Sequence, residues 1–238
     1  MSEPGAVRRP TPSEVAAFDA AWTLNTGTEL PYAHWLRATC HERWVRLHSL
    51  PESKQYPDTE AEYAVMLTRY LAELDELRAG ADDLWVVTSS YSSAARPVRR
   101  SAALVELLPR PRLWRSFTED DEDEEYRIWT HHYLSVVRRD GPELPRLLRL
   151  VADEVVSGVM ITVPAATWVH HPYDGGADLI LPTTAERDRI AGIFTDWLPA
   201  QGFPGACLTG CVHSRAPSPG LQRRVHSRDP AGLPRSPR

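Results

Sequence analysis

Hydrophobic positions recur every three or four residues in some segments and every second residue in others, which predicts helices alternating with strands. Three helical segments begin at a capping box, a threonine followed three residues later by glutamate, at Thr11, Thr59 and Thr183. The longest of these helices is predicted over about 59–78. A fourth helix is predicted to begin at Pro142, because proline is favoured in the first turn of a helix.

Seven strands are predicted from alternating or continuous runs of β-branched and aromatic residues. They cover residues 44–48, 84–91, 112–117, 126–137, 159–163, 168–171 and 177–181. The last two flank Asp174 and Gly175, a dipeptide typical of a two-residue hairpin turn, because glycine adopts positive φ without steric cost. Residues 25–42 and 92–111 are predicted to be irregular connections. The order of elements predicts an α+β fold, a single mixed or antiparallel sheet packed by about four helices.

The composition, 42% hydrophobic and 25% charged residues in 238, is that of an ordinary globular protein. We predict an N-terminal helical segment at 1–29, an α+β domain at 30–201 and a basic tail rich in Pro, Arg and Ser at 202–238. The tail has no hydrophobic periodicity, so we expect it to be disordered. Two origins stay open for it: a native extension, or the end of a gene read in a shifted frame.

The net charge of −5 is unevenly distributed, because the tail has six arginines against one acid and the remainder of the chain is strongly acidic. An acidic body disfavours nucleic-acid binding, which depends on neutralising phosphates. The acidic run at 119–125 predicts a solvated loop that could meet a basic protein partner. The sequence shows neither a signal peptide nor a membrane span, so we expect a cytoplasmic protein that does not associate with membranes.

Polar side chains concentrate in the strand at 44–48 and in the turn after it. Alternation places Arg46 and His48 on one face of the strand, and the turn carries Ser49, Ser53 and Lys54, the only lysine in the chain. Hydroxyl and ammonium donors could hold a phosphate or carboxylate. The alternative is that the serines are turn residues and that Lys54 pairs with a nearby acid, Glu52 or one in the following helix.

A second polar cluster lies in the predicted hairpin and contains His171, Tyr173, Asp174 and Asp178. A turn centred on Asp174 and Gly175 places His171 directly opposite Asp178, where the carboxylate would favour the imidazolium. That pair suits a general base and suits a structural contact equally well. We expect no metal site, because adjacent strand residues point to opposite faces, and no cofactor, because no dinucleotide or phosphate-loop motif is present.

Two strings in these segments carry a resemblance to a known family. W-V-R-L-H-S-L-P-E-S-K, from Trp44 to Lys54, and H-P-Y-D-G-G-A-D, from His171 to Asp178, resemble an uncharacterised bacterial domain family of unknown function that is common in soil actinobacteria. The resemblance covers about residues 30–200. It implies membership and no activity, so it assigns no catalytic residue.

Two hypotheses for function follow. The first is a non-catalytic binding or accessory module, of the immunity type for example, with a protein partner. The alternative is an enzyme or small-anion-binding protein whose site joins the turn from His48 to Lys54 to the hairpin from His171 to Asp178. A shared site requires both segments to lie on one side of the domain, with Lys54 within reach of Asp174.

Overall fold

The fold is known from a computed structural model that describes residues 7–28, 30–97, 100–118 and 128–199. The acidic run at 119–125 and the tail at 202–238 lie outside the described residues, so the predictions of a solvated loop and a disordered tail stay predictions. Within the described ranges, no helix is both long and apolar enough to span a membrane.

The described residues form six α-helices, of which four were predicted. These are α1 Pro12–Thr26, α2 Ala33–Thr39, α3 Glu60–Leu77, α4 Ala102–Leu107, α5 Glu143–Ala152 and α6 Thr184–Ile193. Capping boxes are present at the starts of α1 and α3, as predicted. The prediction that 25–42 and 92–111 are wholly irregular is wrong, because α2 and α4 lie within them. Both helices are too short to show a clear helical period.

All seven predicted strands are present, with their ends shifted by a few residues. They are β1 Trp44–His48, β2 Asp83–Ser92, β3 Arg112–Thr118, β4 Trp129–Arg138, β5 Met160–Thr162, β6 Val169–Tyr173 and β7 Gly176–Ile180. They form one sheet in the order β1-β7-β6-β5-β2-β4-β3, and every neighbouring pair is antiparallel. The α+β class with a single sheet is therefore confirmed, and the sheet is antiparallel.

Helices pack against both faces of the sheet. On one face, called here the α2 face, Phe18 and Trp22 of α1 and Leu36 of α2 cluster with Trp85 and Val87 of β2. Phe18 stacks on Trp85 with ring centroids 4.9 Å apart. The first helix therefore shares a hydrophobic cluster with the sheet.

The opposite face, called here the α3 face, holds the larger hydrophobic cluster. Its members come from α3, α4, α5 and α6 and from inward positions of the strands, including Leu74, Leu148, Ile190, Val86 and Leu179. Because side chains of a strand alternate between faces, Arg46 and Asp178 on the α2 face alternate with these core residues.

The hairpin of β6 and β7 pairs closely with β1. Its turn lies at Asp174 and Gly175, as predicted. The backbone of Gly176 approaches β1 so closely that an added Cβ atom would lie 2.2 Å from the carbonyl oxygen of Leu47. This position therefore has room for glycine alone.

We expect Gly176→Ala to destabilise the fold by about 1–3 kcal/mol or more, because the β1 backbone must move to admit a methyl group. Gly192→Ala in α6 is the matched control, since its added Cβ atom meets nothing within 4 Å. The control is expected to gain about 0.5–1 kcal/mol from the better helix propensity of alanine. Urea unfolding of both variants measures the difference, and a Gly176→Ala variant as stable as the parent contradicts the close approach.

Candidate functional site

The candidate site is centred on a buried carboxylate at the edge of the sheet. Antiparallel pairing of β1 with β7 places Arg46 directly opposite Asp178, and both side chains lie on the α2 face. The Asp178 side chain is only 3% exposed. A buried carboxylate is tolerated only where charges and hydrogen bonds compensate for lost hydration.

Four hydrogen bonds provide that compensation for Asp178. Arg46 donates from Nε to Oδ1 at 2.9 Å and from Nη2 to Oδ2 at 3.2 Å. Arg37 of α2 donates from Nη1 to Oδ2 at 2.8 Å, and Trp44 donates from Nε1 to Oδ1 at 2.9 Å. Burial by itself would raise the pKa of Asp178, but the hydrogen bonds and charge of Arg46, with the bonds from Trp44 and Arg37, hold it below its usual value.

The two guanidinium groups exceed the single carboxylate in charge, so this cluster carries a net charge of about +1. Both arginine side chains stay partly open to solvent, 34% exposed for Arg37 and 36% for Arg46. The Arg46 guanidinium lies 5.3 Å from the ring centroid of Trp44 and 5.6 Å from that of Tyr173. Aromatic packing and the buried carboxylate therefore fix its position.

Tyr173 and His48 flank the arginines on the same face. Burial raises the pKa of Tyr173, and the charge of Asp178 acts in the same direction. Burial lowers the pKa of His48, and the charge of Arg46 adds to this effect. Both side chains are therefore neutral near pH 7 and contribute polar atoms without a charge.

The predicted pairing of His171 with Asp178 is confirmed as a strand register. Burial lowers the pKa of His171 to about 4, and the opposing effect of the Asp178 charge is smaller. The carboxylate oxygens accept from Arg37, Arg46 and Trp44 instead. Among the described residues, the buried Nδ1 atom of His171 has no hydrogen-bond partner.

The turn after β1 lies against the hairpin, as a shared site requires. Ser49 Oγ donates to the backbone oxygen of Asp174 at 3.3 Å, and Gln55 Nε2 donates to the Asp174 carboxylate at 3.0 Å. Ser53 is exposed and has a left-handed backbone conformation with φ of 58°. The turn therefore supports the hairpin mainly through Ser49 and Gln55.

Lys54 is directed toward α3 and forms salt bridges there. Its Nζ atom lies 2.8 Å from a carboxylate oxygen of Asp58 and 2.5 Å from one of Glu62. These two hydrogen bonds raise the pKa of Lys54, with Asp58 having the larger effect. The alternative in which Lys54 pairs with a helix acid matches this geometry, and Gln55, not Lys54, contacts Asp174.

A buried polar network supports the hairpin from the α3 face. His170 Nε2 lies 2.7 Å from Glu73 Oε2, and both side chains are fully buried. Burial raises the pKa of Glu73, although its hydrogen bond to His170 acts in the opposite direction. Tyr70 donates to the backbone oxygens of Tyr173 and Gly176. This network holds the strands that carry Asp178 and Tyr173.

His131 and His132 of β4 are both buried. His131 lies 2.8 Å from each of the hydroxyls of Ser92 and Ser116. His132 Nδ1 lies 3.0 Å from the Ser89 hydroxyl on the α2 face. Serines on the neighbouring strands therefore contact both imidazole nitrogens of His131 and one of the two of His132.

Arg37 and Trp44, which both contact Asp178, were not among the site residues predicted from the sequence. Arg37 lies in a segment predicted to be irregular, and only the presence of α2 brings it to Asp178. The described part of the chain contains no group of three or more His, Cys, Asp or Glu side chains arranged to hold a metal ion.

A family model described as "Domain of unknown function (DUF3885)" matches residues 32–201. This range contains both strings that carried the resemblance, together with Arg37 and the whole hairpin. Comparison with curated proteins and with solved structures found no match. The predicted membership of a domain family of unknown function is therefore confirmed.

We expect the free energy of unfolding to fall as the pH decreases from 6.5 to 5. Burial, followed by the charges of Arg115 and His131, lowers the pKa of His132 from 6.5 to about 4. Below pH 6.5 the unfolded chain therefore binds a proton that folded His132 does not, and stability is lost toward pH 4. His132 accounts for about 2 kcal/mol of the loss by pH 5, at about 1.4 kcal/mol per pH unit.

Urea unfolding at pH 6.5 and 5 measures this loss for the parent and for His132→Gln. The variant is less stable at both values, but the difference between them is smaller by about 2 kcal/mol, because glutamine binds no proton. His171→Gln provides a second test, since burial lowers the pKa of His171 in the same way. Equal pH dependence in the parent and both variants rules out this role of the buried histidines.

Proposed function

The chain belongs to the DUF3885 family of domains of unknown function, and from that premise we propose that it is a non-catalytic binding module that holds a small oxyanion between Arg37 and Arg46. One observation carries the proposal. Two guanidinium groups from different elements share a single buried carboxylate and stay partly open to solvent.

The chemistry of arginine favours an oxyanion as the ligand. A guanidinium is a planar group with several N–H donors, and its geometry matches the oxygens of a carboxylate or phosphate. Arg37 donates one hydrogen bond to Asp178, and Arg46 donates two. Donors remain on both groups, so a bound oxyanion could accept from them without breaking their bonds to Asp178.

Preorganisation also supports binding at this position. Immobilising a long side chain on binding costs about 0.5–1.5 kcal/mol. Asp178 orients both guanidinium groups before a ligand arrives, and the rings of Trp44 and Tyr173 restrict Arg46 further. Most of the cost of ordering the arginines is therefore already met in the free protein.

The acid–base properties of the site favour binding over catalysis. A general base is effective when its pKa lies near the working pH and its proton-accepting atom is free. Asp178 has a lowered pKa, and donors occupy both of its oxygens. Burial lowers the pKa of His171 to about 4 and raises that of Tyr173. None of these three groups is tuned to transfer a proton near pH 7.

We expect Arg37→Gln to weaken the binding of inorganic phosphate by about tenfold, which corresponds to about 1.4 kcal/mol. The substitution removes one positive charge from the site, while Arg46 and Trp44 continue to satisfy Asp178. Isothermal titration calorimetry at low salt measures the affinity. Arg146→Gln is the matched control, because it removes the same charge from a side chain that is 60% exposed on α5. Equal affinities of the parent and Arg37→Gln contradict the proposal.

Lys54→Met distinguishes this site from one at the turn. The Lys54 ammonium group pairs with Asp58 and Glu62, so we expect the variant to bind phosphate as the parent does. The same titration provides the measurement. A loss of affinity as large as that of Arg37→Gln would indicate that the anion binds at the turn and that Lys54 contributes to its binding.

A further inference from the structure

A chain of hydrogen bonds connects three strands on the α3 face, the face opposite the arginine pair. His131 of β4 is on this face because it alternates in step with Val137, a member of the α3-face cluster. Its Nε2 atom lies 2.8 Å from Ser92 Oγ of β2, and its Nδ1 atom lies 2.8 Å from Ser116 Oγ of β3. Ser92 Oγ also lies 2.7 Å from the backbone oxygen of Ala94. The contacts therefore run without a break from Ala94 to Ser116.

The neutral form of His131 suits this environment. The side chain is fully buried, and both ring nitrogens contact hydroxyl oxygens. Within the described ranges, no carboxylate forms a salt bridge with this ring. A buried imidazolium without a counter-charge is costly, so the uncharged imidazole is the favoured state.

The direction of each hydrogen bond follows from the Ala94 carbonyl, which can only accept. Ser92 Oγ donates its single hydrogen to that carbonyl and must therefore accept a hydrogen bond from His131 Nε2. A neutral imidazole carries one N–H, so Nδ1 holds a lone pair and accepts from the Ser116 hydroxyl. The network thus assigns one tautomer to His131 and directs the Ser116 proton toward a base.

This is the arrangement of an activated nucleophile. A serine hydroxyl becomes nucleophilic when a base lies within about 2.6–3.2 Å and a third group orients that base. His131 is the base for Ser116, and Ser92 is the positioning residue. Ser116 is half-buried and lies on β3, which is the last strand at its end of the described sheet. A small electrophile can therefore approach it from solvent.

A second pair of serine and histidine, on the α2 face, lacks the orienting group. His132 Nδ1 lies 3.0 Å from Ser89 Oγ, but among the described residues its buried Nε2 atom has no hydrogen-bond partner. No neighbour of Nε2 fixes the tautomer there. Ser89 is half-buried, as Ser116 is, so it provides a comparison within the same molecule.

We propose that Ser116 is an acylation site, a serine that accepts an acyl group from an activated ester. Ser116 Oγ forms a bond to the ester carbonyl carbon, and its proton passes to His131 Nδ1. The ester C–O bond then breaks, and the departing alkoxide takes that proton and leaves as an alcohol. The inference goes beyond the proposed function, because it concerns a single acyl transfer to the protein on the other face of the sheet.

Reaction of the full chain with p-nitrophenyl acetate, an activated ester, tests this inference. Timed samples are stopped with acid, and mass spectrometry of their peptides measures acetylation at each serine. We expect Ser116 to be acetylated at least about 100-fold faster than Ser89, because a positioned general base contributes about 10²–10⁴ in rate. Both serines are measured in one sample, so the ester concentration is the same for both.

Variants separate the roles of the base and the positioning residue. His131→Gln should slow acetylation of Ser116 by at least about 100-fold, since it removes the proton acceptor. Ser92→Ala should slow it by at least about tenfold, because the tautomer of His131 is no longer fixed. Ser92→Thr keeps the hydroxyl and should restore the parent's rate. Ser89→Ala is the matched control and should leave the rate at Ser116 unchanged.

Urea unfolding shows which variants fold, and the two Ser92 variants keep the test decisive if His131→Gln does not. Equal rates at Ser116 and Ser89 in the parent overturn the inference. An unchanged rate at Ser116 in folded His131→Gln or in Ser92→Ala also overturns it, because the network would then be structural only. Phosphate titration reports on the arginine pair separately, so the proposed function and this inference can fail independently.

Discussion

The burial of the Asp178 carboxylate is the interaction on which the candidate site depends. A charge removed from water is tolerated only when other groups replace its hydration, and here those groups come from β1 and α2. The same bonds join three elements of the fold and place two guanidinium groups side by side. Structure and the proposed binding are therefore linked, because the groups that stabilise the buried charge are the groups that create the positive surface.

The hairpin that carries Asp178 is held from both faces of the sheet. On the α3 face, Tyr70 binds its backbone oxygens, and the fully buried pair of Glu73 and His170 lies behind it. On the edge, Gly176 allows β1 to approach more closely than any side chain would permit. The proposed anion site, built on so constrained a backbone, would need little reorganisation when a ligand arrives.

The long elements could be predicted from the sequence because their signals are local. Capping boxes mark the starts of α1 and α3, and the Asp174-Gly175 turn fixed the register that places His171 opposite Asp178. The partners of Asp178 could not be predicted, because Arg37 is 141 residues away in sequence and lies on a helix too short to show a period. Local signals also cannot reveal that burial would outweigh a nearby charge in setting the pKa of His171.

The pairing of β1 with β7 has a consequence for the order of folding. Trp44 pairs with Ile180, so β1 leaves the ribosome long before its only neighbour in the described sheet exists. Closing so long a loop is entropically costly, and contacts of high sequence separation form slowly. The arginine pair is therefore assembled only after β7 has been synthesised, and a nascent chain that lacks β7 holds Arg37 and Arg46 without the carboxylate that orients them.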